Sequence, residues 1–329
     1  MRVKTKQEKG FADLEAIVPS SELDVLEEII DWSLIRAVLQ GIRGDYCPVS
    51  MYKMLLLQTW HCLSDDCIAD ALKRDLVFIR FCGFSLDGSK PDGTTLGRFR
   101  SRLVKYDLSN QLLQIVNDSL SAEGLKLSNG KYVSSDATLV QSSRRPKKTI
   151  ETKDNNVDVT YSDDTDATWT AKGNQSVYGY SSSIITDSDG LVESVTTFTA
   201  SRSEMTRLGE VLEPANIQRG QVLLYDKGTD SAANRELLKQ HGIKDGIMRK
   251  KPKGQPMTRW NRLRNKLIGK RRFVVERTFG TMKRTYGLHR ARYLGLAKTQ
   301  AEVLMKSMAY NLKRGMNNYL RKQTEAYCA

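Results

Sequence analysis

The chain has 329 residues, with 52 Lys and Arg against 38 Asp and Glu, a net charge of +14 and a pI near 9.5. That length supports a large core and, as a prior, two domains, while the positive excess points to a polyanionic partner, nucleic acid above all. No apolar run is long enough to span a bilayer and the N-terminus lacks a signal-peptide core, so a membrane protein is excluded and a cytoplasmic location is expected.

Residues 21–39 carry Leu23, Val25, Leu26, Ile29, Ile30 and Trp32 at helical spacing behind Ser21, which predicts one helix. A second is expected over residues 50–61. Ser64 caps a third, with Asp65 and Asp66 in its first turn, where the helix dipole favours negative charge. The five cysteines, Cys47, Cys62, Cys67, Cys82 and Cys328, form no CxxC set, and an odd number of them suits free, mostly buried thiols in a reducing compartment. After a loop over residues 85–93, Thr94 or Thr95 is expected to cap a helix bearing Arg98, Arg100, Arg102 and Lys105. Such a helix can offer Arg98 and Arg100 to DNA, or simply present a solvated face. Another helix spans residues 108–123.

The pattern changes near Gly130. Residues 131–140 read as a strand, and the polar, basic residues 142–172 have no periodicity and read as a long loop. Strands at 177–186 and 191–200 are joined by Asp187-Ser188-Asp189-Gly190, a good hairpin turn. Then follow a helix at 203–212, a strand at 221–225, a helix at 231–240 and a strand at 243–248. The remainder is helical, ending in an amphipathic segment over 298–321 with Leu304, Met308, Leu312 and Met316. This order predicts an α/β fold: an RNase H-like mixed five-stranded sheet with flanking helices, preceded by an all-α region. The expected division is residues 1–129, helical and serving DNA binding and dimerisation, and residues 130–329, catalytic.

Three acids stand out by position. Asp136 lies at the apolar-to-polar crossover of the first strand, and Asp226 directly follows Val222-Leu223-Leu224-Tyr225. Glu276 lies on a helix in which Arg272, Glu276 and Lys283, spaced by four and seven, share a face. Val275, Phe279, Met282 and Tyr286 form a neighbouring apolar stripe that would press that helix onto the sheet. Alone, Arg272, Glu276 and Lys283 would be an ordinary helical salt-bridge ladder. With the two aspartates they become a set of carboxylates suited to two Mg2+ ions roughly 4 Å apart, with Mn2+ as a substitute. The basic stretch from Arg249 to Arg292, interleaved with Trp260, Tyr286 and Tyr293, suits phosphate contacts and base stacking.

Other chemistries find less support. His61, His241 and His289 make no His-x-His pair, no Cys and His spacing fits zinc, and there is no GxxxxGK[ST] loop. His289-Arg290-Ala291-Arg292 followed by Tyr319 superficially resembles a tyrosine recombinase, but that class has a largely helical catalytic domain.

Several stretches resemble the bacterial insertion-sequence transposases with a DDE catalytic domain, particularly the insertion-sequence-five group. They are Tyr52-Lys53-Met54-Leu55-Leu56-Leu57-Gln58-Thr59-Trp60, Pro91-Asp92-Gly93-Thr94-Thr95-Leu96-Gly97-Arg98-Phe99-Arg100 and Ser135-Asp136-Ala137-Thr138-Leu139-Val140. Tyr225-Asp226-Lys227-Gly228, Val275-Glu276-Arg277-Thr278-Phe279-Gly280-Thr281-Met282-Lys283-Arg284 and Arg290-Ala291-Arg292-Tyr293-Leu294-Gly295 complete them. The family signature of Tyr, two residues, Arg, three residues, Glu, six residues, Lys is met at Arg272, Glu276 and Lys283, with Gly269 in place of the Tyr. The resemblance implies a transposase that binds terminal inverted repeats as a homodimer on paired ends of double-stranded DNA. It implies metal-dependent cleavage and strand transfer by Asp136, Asp226 and Glu276. Arg272 and Lys283 would position phosphates, as would Arg277 and Lys227 less strongly. A DNA-binding repressor without catalysis, or an RNase H-like nuclease without strand transfer, are the alternatives.

Overall fold

A computed structural model describes Val18 and residues 21–126, 130–146, 148–151, 157–160, 163–173 and 175–328. The chain divides into two compact units, one of residues 1–126 with 305–329 and the other of residues 127–304. The end of the last helix thus groups with the N-terminal helices, not with the sheet as the sequence order suggested. Among the described residues no helix is long and apolar enough to cross a membrane.

The first unit begins with α1 (Asp24–Ile29) and α2 (Trp32–Leu39). The single helix expected here is broken because Ile30 is extended and Asp31 caps a new start, accepting from Ser33 N at 2.9 Å and Leu34 N at 3.4 Å. Next come α3 (Pro48–Trp60), opened by proline in its first turn, and α4 (Asp65–Ala71), capped by Ser64 through Cys67 N at 3.1 Å. α5 (Leu76–Cys82) ends on left-handed Gly83. α6 (Gly93–Lys105) is capped two or three residues earlier than expected, by Asp92 accepting from Thr95 N at 2.6 Å. α7 (Ser109–Ala122) follows, and Asn117 on it accepts from Asn311 Nδ2 at 2.8 Å. The free thiols Cys47, Cys62 and Cys67 are exposed and only Cys82 is buried, so the expectation of mostly buried thiols fails among the described ones.

The second unit is built on β1 (Tyr132–Gln141), β5 (Gln175–Thr186), β6 (Val192–Thr199), β7 (Val222–Tyr225) and β8 (Lys244–Ile247). β5 pairs antiparallel with β1 and β6, while β7 pairs parallel with β1 and β8. The sheet has six strands instead of five, because β4 (Thr168–Lys172) joins the first half of β5. A separate ribbon pairs β2 (Lys148–Glu151) with β3 (Val157–Thr160). Residues 142–172, expected as a loop, therefore hold three strands. Gly179 is where β1 and β4 both meet β5, and a Cβ there would lie 2.2 Å from Val140 O.

One sheet face packs Val133, Leu223 and Tyr225 against Leu208, Val211 and Leu212 of α8 (Leu208–Leu212) and its C-terminus, and Leu238 of α9 (Ala232–Gln240). α8 follows a short 3-10 turn (Glu204–Thr206), so the helix expected at 203–212 is split. The other face receives α10 (Arg259–Tyr286), which packs on β1, β7 and β5. Its buried residues include Val275, Phe279, Met282 and Tyr286, the stripe read from spacing. α11 (Leu296–Cys328) starts where Asp164 and Asp166 accept from Gly295 N at 3.1 Å and Leu296 N at 2.8 Å, so two aspartates from the stretch expected as a loop neutralise a helix N-terminus.

Candidate functional site

β1 and β7 run parallel, with Ser134 paired to Leu224. Two residues further along each strand stand Asp136 and Asp226, so register puts them level and, by the period of two, on one face. That face is opposite Tyr225 and carries α10. Asp226 ends β7 in extended geometry (φ −72, ψ 162) and opens a 3-10 turn (Lys227–Thr229), with Thr229 Oγ1 donating to its carbonyl at 2.9 Å.

Arg272 reaches both carboxylates from α10. Its Nη2 lies 3.2 Å from Asp136 Oδ1 and its Nη1 3.6 Å from Asp226 Oδ1. The residue is 5% exposed, against 25% and 39% for the two aspartate side chains, so the cation is interior and the acids open outward. Glu276 is one turn further along α10, exposed at the rim. Arg272 and Glu276 therefore do not share one environment, although they share the helix side read from spacing. Among the described residues no three His, Cys, Asp or Glu side chains stand close enough to hold a metal ion. The aspartates are brought together and Glu276 is not drawn in with them. The donors on offer are carboxylate oxygens, which suit Mg2+ or Mn2+ and not a soft metal.

The cations expected to meet DNA divide into two groups. Lys227, Arg277, Lys283 and Arg98 are exposed. Arg100 instead turns inward, with its Nη1 donating to Asp65 Oδ1 at 3.0 Å and its side chain 15% exposed. Arg272 is likewise committed to carboxylates. Gly269, at the signature's Tyr position, has Met248 Cε 3.3 Å from where a Cβ would stand, so a tyrosine there needs Met248 to move.

A fourth acid went unnoticed in the sequence. A Cβ on Gly228 would lie 3.7 Å from Glu204 Oε2 and 4.0 Å from Asp226 Oδ2, which places Glu204 beside the site. Its Oε1 lies 3.9 Å from Arg207 Nη2. Nothing local marks Glu204, since its approach depends on where the turn after β6 lands. Arg207 is fully buried, stacked on the Phe198 ring at 4.7 Å, and donates to Ser181 Oγ at 2.9 Å. Behind the aspartates, Tyr225 is buried and its hydroxyl makes no hydrogen bond, although Ser135 and Ser183 face it; burial raises its pKa. Tyr319, the residue a tyrosine recombinase would need as nucleophile, donates its hydroxyl to Glu28 Oε2 at 2.6 Å.

Two family descriptions match the chain: "Transposase DDE domain" over residues 134–312 and "Transposase domain (DUF772)" over residues 12–102. The chain is 35% identical over 224 residues to the transposase for insertion sequence element IS1106 of Neisseria meningitidis serogroup B, spanning 67% of this chain and 77% of that protein. Among solved structures it is similar to the piggyBac transposase synaptic complex with hairpin DNA, at 11% identity and a TM-score of 0.45, covering 91% of this chain and 74% of that one. It is also similar to a pre-cleavage Mos1 transpososome, at 11% identity and a TM-score of 0.23, covering 95% and 93%.

Proposed function

Because the chain belongs to the DDE transposases of bacterial insertion sequences, we propose that Asp136, Asp226 and Glu276 are its metal-binding catalytic set, taking two Mg2+ ions, with Mn2+ able to substitute. The enzyme acts in DNA cleavage and strand transfer, and its family works with divalent metal ions. The observation that carries the residue assignment is the level placement of Asp136 and Asp226 on adjacent parallel strands beneath the helix bearing Glu276. When bound, such ions activate an attacking oxygen and stabilise the leaving one.

In this reading Asp136 and Asp226 present oxygens from the sheet, and Glu276 completes the set by turning in from the rim. Lys227, Arg277 and Lys283, all exposed, hold the phosphates of the element end. Arg98 on α6 contributes a backbone contact from the helical unit. The substrate is double-stranded DNA, the terminal inverted repeats and then the target, and the working form is a homodimer on paired ends. We place the protein in the insertion-sequence-five group on its Tyr225–Gly228 and Val275–Arg284 motifs.

The test is a nicking and joining assay with Mg2+ on DNA carrying the element's ends. Asp226→Asn should abolish both nicked and joined products while end binding survives. Nicking by that variant at the wild-type rate would remove Asp226 from the site. Nicked DNA without joined products from the wild type would favour a plain nuclease.

A further inference from the structure

The role of Arg272 is open to a reading that the signature alone does not suggest. A phosphate contact needs an accessible cation, yet Arg272 is 5% exposed, while Arg277 and Lys283 on the same helix, and Lys227 next to Asp226, are exposed. Its guanidinium faces one oxygen of each aspartate, at 3.2 Å and 3.6 Å, and its Nε is buried without a hydrogen-bond partner. A well-docked guanidinium–carboxylate fork has nitrogen–oxygen distances of roughly 2.7–2.9 Å. Here one planar cation is shared loosely by two acids and docked fully on neither. Two carboxylates level on neighbouring strands repel each other, and a delocalised, permanently charged group that spans both relieves that repulsion better than a point charge would.

We propose that Arg272 is the counter-cation of the Asp136–Asp226 pair, a positioning residue that keeps the two carboxylates together and competes with a divalent ion for their oxygens. It rests on the reading of the two aspartates as metal ligands. Loading the site requires the guanidinium to withdraw from at least one Oδ1, and the loose geometry makes that exchange easy. Arg272 then sets metal affinity, while the exposed lysines and arginines set DNA affinity.

The probe is Mn2+ alone, titrated calorimetrically into the full-length protein without DNA. Arg272→Gln should bind Mn2+ on the order of tenfold more tightly than wild type, because the competing charge is gone. Arg272→Lys, which keeps the charge, should stay within about threefold of wild type. The slope of log affinity for DNA against log salt should not change in Arg272→Gln, whereas in Lys283→Ala it should fall by about one. Unchanged or weaker Mn2+ binding in Arg272→Gln, or a loss of salt slope like that of Lys283→Ala, overturns the proposal. Asp226→Asn separates the two readings. If it binds Mn2+ as wild type does, the metal assignment fails; if it loses Mn2+ while Arg272→Gln is unaltered, only the counter-cation role fails. Should Arg272→Gln not fold, wild type carries the test. Saturating Mg2+ should shift the Arg272 Nε–H resonance, assigned by its loss in Arg272→Lys, and an unmoved resonance overturns the proposal.

Discussion

Asp187 is 2% exposed at the start of the β5–β6 turn, where its Oδ1 accepts from Asp189 N at 2.9 Å and Leu191 N at 2.8 Å. Its Oδ2 is buried with no partner. Burial pushes its pKa from 3.8 up to about 6, aided by Glu193 and Asp189 and opposed by the backbone N–H of Leu191 and of Asp189. The folded state therefore holds this proton more tightly than the unfolded chain. The resulting stability is fully present below about pH 4 and is lost as pH rises through about 6. Raising the pKa that far corresponds to about 3 kcal/mol, an upper figure because a real interior relaxes. Asp187→Asn keeps the Oδ1 acceptor and cannot ionise. Its buried amide adds a roughly constant cost of about 1–3 kcal/mol, so the pH dependence of the difference is the sharper measure. Relative to wild type, the variant should gain about 2.4 kcal/mol between pH 4 and pH 7.5, or about 5–10 °C in midpoint for a unit of this size. Thermal unfolding of both proteins across that range reads it directly. A midpoint difference that stays flat with pH would mean that Asp187 is not held above its ordinary range.

The remaining predictions concern packing and charge. Gly246→Ala would place a Cβ 2.3 Å from Leu223 O, so the β7–β8 pairing must give way, and a loss of about 3 kcal/mol or insoluble protein is expected in denaturant titrations. Gly280→Ala on α10 meets nothing within 4 Å and should instead stabilise by about 0.5–1 kcal/mol in the same assay. Arg100→Ala removes a half-buried partner of Asp65 and should cost about 1–2 kcal/mol while leaving the salt slope of DNA binding unchanged; a reduced slope would return Arg100 to the DNA surface.

Much of the fold is legible in sequence because it follows from contacts three or four residues apart, or from alternation. The hydroxyls of Ser64 and Ser231 cap α4 and α9 by accepting from the backbone N–H three residues on, and the stripe Val275, Phe279, Met282 and Tyr286 buries as its spacing requires. Asp226 stands at the end of an apolar strand, and Asp187 to Gly190 turn the hairpin, with Gly190 at φ +90. The break at Ile30 was less visible, since Asp31 works equally well on a helix surface and as a cap. The alternation of Thr168 to Lys172 covers only five residues, with Trp169 left exposed, and the segment becomes a strand only once β5 offers it an edge.

The site divides along the same line. Sequence placed Asp136, Asp226 and Glu276 each on its own element. Only the register of β1 against β7 made two of them neighbours, and only the seating of α10 decided that Arg272 faces inward while Glu276 and Lys283 face out. The same holds for Glu204, brought beside Asp226 by a turn, and for Arg100, taken up by Asp65 while Arg98 stays free to meet solvent. A side chain's charge is written in the sequence, but its partner is chosen by residues far along the chain. Because opposite charges pair wherever packing brings them together, which cations remain for DNA is decided by tertiary structure.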